Sequence, residues 1–222
     1  MRKVVPTAAV AVAALVLAGA ALAFSQVASI TLTAKHAGQS TGLRSDVHSV
    51  FAAGETPKAA TLLAITFPGG TKFNYGRVKA CRLSAKQIEA GRSCPTASKI
   101  GTGQAITVAP PLPQQFTGAV TAYVAGRTSL VLVVKVTKPI PVTVAIPANV
   151  SGVKLTIPIP TKKVSAFKVV LTSLKLYVPP KGTGKNALMT AGKCTAGKFD
   201  VKSHFRYADG SQQDLSSSSP CS

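Results

Sequence analysis

The chain has 222 residues, 46% of them apolar, with 26 Lys and Arg against six Asp and Glu, three His and no Trp. Six carboxylates supply little material for the paired acid–base chemistry of glycoside hydrolysis. A net charge of +20 points to polyanionic partners, yet the absence of Trp and a total of four Tyr leave no stacking platform for specific nucleic-acid reading.

The first residues, Met1-Arg2-Lys3, are basic. An apolar run from Val4 to Ala23 follows, broken only by Pro6, Thr7 and Gly19, and closes on Ala21-Leu22-Ala23. Small residues at −3 and −1 mark a cleaved export signal over 1–23. A retained anchor is the alternative, because twenty residues can just span a bilayer. Cleavage near Phe24 leaves 24 basic and six acidic residues, about +18, and sends the protein to the cell envelope or the medium. No later segment reads as a span: Leu130–Val150 is interrupted by Lys135, Lys138 and three prolines.

Residues 24–59 read as a strand, Ile30–Ala34, and a long polar loop from His36 to Lys58. Residues 60–222 read as a β domain, with 24–222 one folded unit. Thr61–Phe67 and Leu130–Val134 are apolar on both faces, as covered central strands are. Further strands are expected at Lys72–Val78, Ile106–Val108, Ala119–Val124 and Val142–Ile146. Val153–Pro160 alternates cleanly, but Pro158 and Pro160 cannot donate ladder bonds, which predicts an edge strand. Phe167, Val169 and Leu171 share a phase that slips at Thr172-Ser173 to Leu174, Leu176 and Val178, the signature of a β-bulge. Phe199 to Tyr207 alternates with Lys198 to Arg206 on a wet face. Turns fall at Pro68-Gly-Gly70, Pro110–Pro113, Pro179–Gly182 and Asp209-Gly210, and Ser216–Ser219 reads as a low-complexity tail. Short strands, frequent turns and one small helix predict an antiparallel β-sandwich, immunoglobulin-like or jelly-roll-like.

Cys81, Cys94, Cys194 and Cys221 are spaced too widely for a zinc knuckle or a C-x-x-C redox pair. In an exported chain an even count predicts disulfides, with three connectivities open. Local pairing, Cys81 with Cys94 and Cys194 with Cys221, is favoured by the segment inside the first loop. Ser84-Ala-Lys-Gln87 is a capping-box pattern, Ala85–Ala90 makes about two turns, and Gly91 supplies a left-handed stop. Such a helix folds the chain back on itself.

No catalytic residue, cofactor site or metal ligand stands out. Asp46-Val-His48 is the one close Asp/His pair, and no G-x-S-x-G elbow accompanies it. His204 lies between Lys202 and Arg206 on a wet face. Gly182-Thr-Gly-Lys185 resembles the end of a phosphate loop, but Asn186 and Pro179 replace its required residues, so a turn is expected. Asp209, Gly210 and Asp214 lack the intervening oxygens of a calcium loop. Outside the signal, Lys162-Lys163 is the sole adjacent cationic pair, so the charge is dispersed. Two functions follow: a non-enzymatic envelope or extracellular protein adhering non-specifically to anionic polymers, or a secreted hydrolase assembled from distant residues around Asp46 and His48.

Cys94-Pro-Thr-Ala-Ser-Lys-Ile-Gly-Thr-Gly-Gln-Ala105, with Phe67-Pro-Gly-Gly70 and Asn74 before it and Gly184-Lys-Asn-Ala-Leu188 and Cys194 after it, resembles a family of uncharacterised exported actinobacterial proteins. The likeness spans about Ala60 to Cys221. It departs from the family pattern in lacking a Pro before Cys194 and an aromatic-Gly pair near the end. The resemblance implies a secreted, disulfide-bonded, β-rich domain and no particular activity.

Overall fold

The computed structural model describes residues 24–51, 55, 57–110, 114–138, 141–164 and 167–222. The expected signal at 1–23 and most of the Pro110–Pro113 turn lie outside the described residues. The strands are β1 (Ser25–Leu32), β2 (Leu43–Val50), β3 (Ala60–Thr66), β4 (Lys72–Phe73), β5 (Lys99–Val108), β6 (Gln115–Val124) and β7 (Ser129–Val136). They continue with β8 (Val142–Ser151), β9 (Lys154–Pro158), β10 (Lys162–Val164), β11 (Phe167–Val178), β12 (Met189–Thr190), β13 (Lys198–Tyr207) and β14 (Gln212–Pro220). One short α-helix, α1, covers Ala85–Glu89.

Eleven strands run in the order β1-β2-β11-β5-β6-β7-β8-β9-β3-β13-β14, with β10 appended to β11 and β4 paired with β12 in a separate ribbon. Where two stacked sheets were expected, one antiparallel sheet curls into a near-closed barrel. Its two edges, β1 and β14, meet through side chains. Gln213 accepts from the Gln26 N–H at 3.0 Å and donates to the Gln26 carbonyl at 3.1 Å. The Ser217 hydroxyl donates to the Ala28 carbonyl at 2.9 Å, and the Ser219 hydroxyl accepts from the Leu32 N–H at 3.3 Å. Edge groups that would otherwise template a foreign strand are thereby occupied.

Eight strands make a barrel that side chains just fill; eleven enclose more. The excess is taken up by Phe199 and Phe205, both fully buried, by Phe67 and Tyr75, and by Leu188 and Met189 beside the β4–β12 ribbon. The void left among Leu43, Phe67, Tyr75, Leu132 and Met189 is about 30 Å³, space on the order of one water. Cys81–Cys94 (Cα–Cα 5.2 Å) and Cys194–Cys221 (5.9 Å) are the two disulfides, pairing locally as expected.

The β11 slip is present: its register against β5 shifts between Leu171 and Ser173. β13 alternates as read, with Phe199, Val201, Ser203, Phe205 and Tyr207 buried. The Ser84–Gln87 capping box forms in both directions, and Gly91 takes φ +96°. Four expectations need correction. Residues 43–50, assigned to a loop, are strand β2, whose inward row Leu43, Ser45 and Val47 carries a small polar residue that hides the alternation. Ser216–Ser219 is not a tail but the end of β14, pairing with Asp200–Phe199 and Lys202–Val201 of β13. Lys72–Val78 is strand only to Phe73, because Asn74 turns aside to bond Ala187 and Leu188 carbonyls and a 3-10 turn follows at Tyr75–Arg77. Val153–Pro160 is interior rather than edge, lying between β8 and β3. Its prolines are tolerated because β8 pairs with β9 only as far as Thr156, while the Ile159 N–H turns the other way to Thr61.

The Tyr207 hydroxyl donates to Gln213 at 3.1 Å and so steadies the side chain that bridges the seam. Burial, with Asp209 nearby, pushes its pKa up to about 12, against about 10 when unfolded. A raised pKa contributes stability that is complete below the unfolded value and lost as pH rises through the folded one. Thermal melts should therefore show Tm falling between about pH 10 and 12. Tyr207→Phe should melt lower at neutral pH and show a shallower alkaline fall; an unchanged alkaline slope would remove Tyr207 from the seam.

Candidate functional site

β7 is apolar on both faces, and its outward residues Val131 and Val133 need cover. They receive it from a lobe outside the barrel: Ile88 of α1, Cys81 and Ala145 form a small buried cluster with them, flanked by Leu83, Ala85, Cys94 and Tyr123. The Cys81 N–H donates to the Val124 carbonyl at 2.7 Å, which pins the lobe to the end of β6. Glu89 on α1 accepts from the Ala145 N–H of β8 at 3.2 Å. β8 pairs with β9 only over Asn149–Ser151, so α1 sits alongside the stretch of β8 that β9 leaves bare.

Between this lobe and the β6–β7 turn opens a cleft of about 1020 Å³. Lys79, Arg82, Arg92 and Arg127 line it, together with Ser93, Gly76 and Gly126 and the apolar side chains of Val78, Leu83 and Pro95. All four cations are exposed. No acidic residue lines the cleft, and none of the four makes an ion pair among the described residues. The Arg127 stem lies over Gly76, where a β-carbon would meet its Cγ at 3.6 Å. Tyr75 forms the floor, where burial holds its hydroxyl above the usual phenol range.

The disulfide makes this cluster. Arg82 follows Cys81 and Arg92 comes two residues before Cys94, so the bond that draws the two sulfurs together also draws the two guanidinium groups to one rim. Sequence reading took the charge as dispersed, because these four residues are spread from 79 to 127. A signal was present in residue type rather than spacing: of seven arginines in the chain, three, Arg82, Arg92 and Arg127, fall in this stretch.

The other candidates serve local ends. Asp46 and His48 face out from β2, 3.4 Å apart, and Asp46 also pairs with Lys175 at 3.1 Å. His204 meets Asp214 across β13 and β14 at 2.8 Å. His36 contacts the carbonyl and hydroxyl of Ser222. Among the described residues, neither His48 nor His204 lines one of these clefts. Gly182–Gly184 is a turn leading into a 3-10 turn at Gly184–Asn186, and no group of three or more metal-ligating side chains gathers among the described residues.

The stretch carrying the family resemblance is structural where it can be placed. The Ser98 hydroxyl, buried, donates to the Pro95 carbonyl at 2.6 Å. Gly101 and Gly103 let β5 approach β11 so closely that a β-carbon at either would run into the Tyr177 or Lys175 carbonyl. No family model matches the chain, and no curated protein or solved structure matches it either.

Cys81→Ala/Cys94→Ala should cost roughly 3 kcal/mol by loop entropy, a Tm loss of about 6–12 °C in a chain this size. Calorimetry checks it. A fall well beyond that range would mean that the lobe's cover over Val131 and Val133 is lost along with the crosslink.

Proposed function

We propose that the protein is an exported, non-enzymatic component of the cell envelope or its surroundings that adheres to anionic polymers. The observation that carries this reading is the one-sidedness of its charge. No Asp or Glu occurs between Glu89 and Asp200, a stretch that supplies β5 to β12. The acids that do occur are taken up by partners of their own: Asp46 by Lys175, Asp209 by Lys58 at 2.8 Å, and Asp214 by His204. With 26 basic residues against six acidic ones, most cations have no acid to pair with, which sets up a field that attracts polyanions at long range.

Two disulfides suit an oxidising compartment. No helix among the described residues is long and apolar enough to cross a membrane. The expected export signal and the resemblance to exported actinobacterial proteins point the same way. The alternative, a hydrolase around Asp46 and His48, has less support: Asp46 lines a shallow cleft with the hydroxyls of Ser29 and Ser45, but His48, the base the reaction would need, does not line it, and Asp46 is already paired with Lys175.

Binding to a polyanion such as poly-L-glutamate should weaken steeply and log-linearly with added salt. Exposed charges are screened over about 8 Å at physiological ionic strength. Lys202→Ala, remote from the cleft on the outer face of β13, should change affinity by less than about twofold. Failure to bind any polyanion at low salt would end the adhesion reading, and so would binding that persists at about 1 M salt.

A further inference from the structure

We infer that the cleft between the Cys81–Cys94 lobe and the β6–β7 turn is a discrete binding site for an acidic oligosaccharide, resting on the anion-binding reading above but placing its specific part at one location. Three features of the cleft define the ligand. Its cations are chiefly arginines, whose planar forks match carboxylate, sulfate or phosphate oxygens bidentately, where a lysine offers only a point charge. Arg82 and Arg92, from the two ends of the Cys81–Cys94 loop, and Arg127, from the β6–β7 turn, line one space with Lys79. Val78, Leu83 and Pro95 line the same cleft and add apolar surface to it. A pyranose ring has both surfaces to offer, an apolar C–H face for these side chains and oxyanion substituents for the forks. At about 1020 Å³ the cleft lies at the upper end of the range for sites that enclose ligands of several rings.

Two other anion classes fit less well. An anionic lipid would need somewhere to put an acyl chain, but among the described residues the void beneath Tyr75 is about 30 Å³. A single-stranded nucleic acid would need exposed rings on which to stack bases. The one aromatic lining the cleft, Tyr75, is 5% exposed. The ligand therefore combines sugar rings with acidic groups, as a uronic, sulfated or phosphorylated glycan does.

The test uses the disulfide-intact protein and titration calorimetry with tetragalacturonate as probe. Tetraglutamate carries the same carboxylates without rings, and dextran carries rings without charge. The wild type should bind tetragalacturonate tighter than tetraglutamate by at least about fivefold, and dextran not at all. Arg82→Lys/Arg92→Lys/Arg127→Lys preserves net charge and removes only the forks. It should weaken tetragalacturonate binding by at least about tenfold while leaving poly-L-glutamate adhesion at low salt within about twofold. Lys181→Gln/Lys193→Gln/Lys202→Gln, a larger charge change at exposed positions away from the cleft, should weaken tetragalacturonate binding by less than about threefold.

Equal losses from the two triple variants would overturn the discrete site and leave the dispersed adhesion standing. Equal affinity for tetraglutamate and tetragalacturonate would overturn the saccharide assignment. So would tighter binding to phosphatidylglycerol vesicles or to an oligothymidylate that is lost in the arginine-to-lysine variant. A wild type that bound no polyanion at all would sink the broader reading instead. Circular dichroism melts of each variant identify any that fail to fold, and Arg127→Lys alone, on an exposed turn, then repeats the comparison.

Discussion

An open antiparallel sheet of this width has two edges to conceal, and here each conceals the other. The β1–β14 seam sets what the remaining sequence can be. It lacks a main-chain ladder and is bridged by Gln213, Ser217 and Ser219 reaching the backbone of Gln26, Ala28 and Leu32. Only short, flexible hydrogen-bonding side chains can do this, so β14 gives up apolar residues over most of its length. The stability that it forgoes comes from the opposite partner, since β13 contributes Phe199, Val201, Phe205 and Tyr207 to the core. The pair works as one unit, with β13 filling the barrel and β14 closing it.

That division of labour explains which parts of the fold were legible. β13 and β11 could be read to the residue, bulge included, because their inward positions are large and apolar and a phase slip in such a row is conspicuous. β2 and β14 could not. Ser217 and Ser219 bond across the seam, where polarity serves closure rather than solvent contact, Ser45 interrupts the inward row of β2, and a pattern based on hydrophobic alternation sees only loop. β9 was half legible: its prolines do mark a place without a neighbour, but that place is one end of an interior strand. The barrel itself was out of reach, because local alternation is the same whether a sheet stacks on another or curls onto itself.

The cleft was illegible for a different reason. Its cations become neighbours only through the Cys81–Cys94 bond and the docking of α1 against β7 and β8, contacts of long sequence range. The disulfides themselves were read correctly, and the capping box explained the first of them. What the residues did not announce is that the staple serves two ends: it lets a five-residue helix cover Val131 and Val133, and it brings Arg82 and Arg92 to one cleft. A lobe too small to fold alone thus shields one face and presents another.

The second disulfide has a mechanical consequence. Cys221 lies directly after β14, and its partner Cys194 follows the β4–β12 ribbon, which packs into the barrel interior. A pulling force applied beyond Cys221 is not delivered to the seam, where side-chain bonds would peel one at a time. It passes through the sulfur bridge to Cys194 and so to the buried segment around Leu188 and Met189. The seam, the junction without a main-chain ladder, is thereby taken out of the load path, and the barrel resists tension at the point where its closure is least regular.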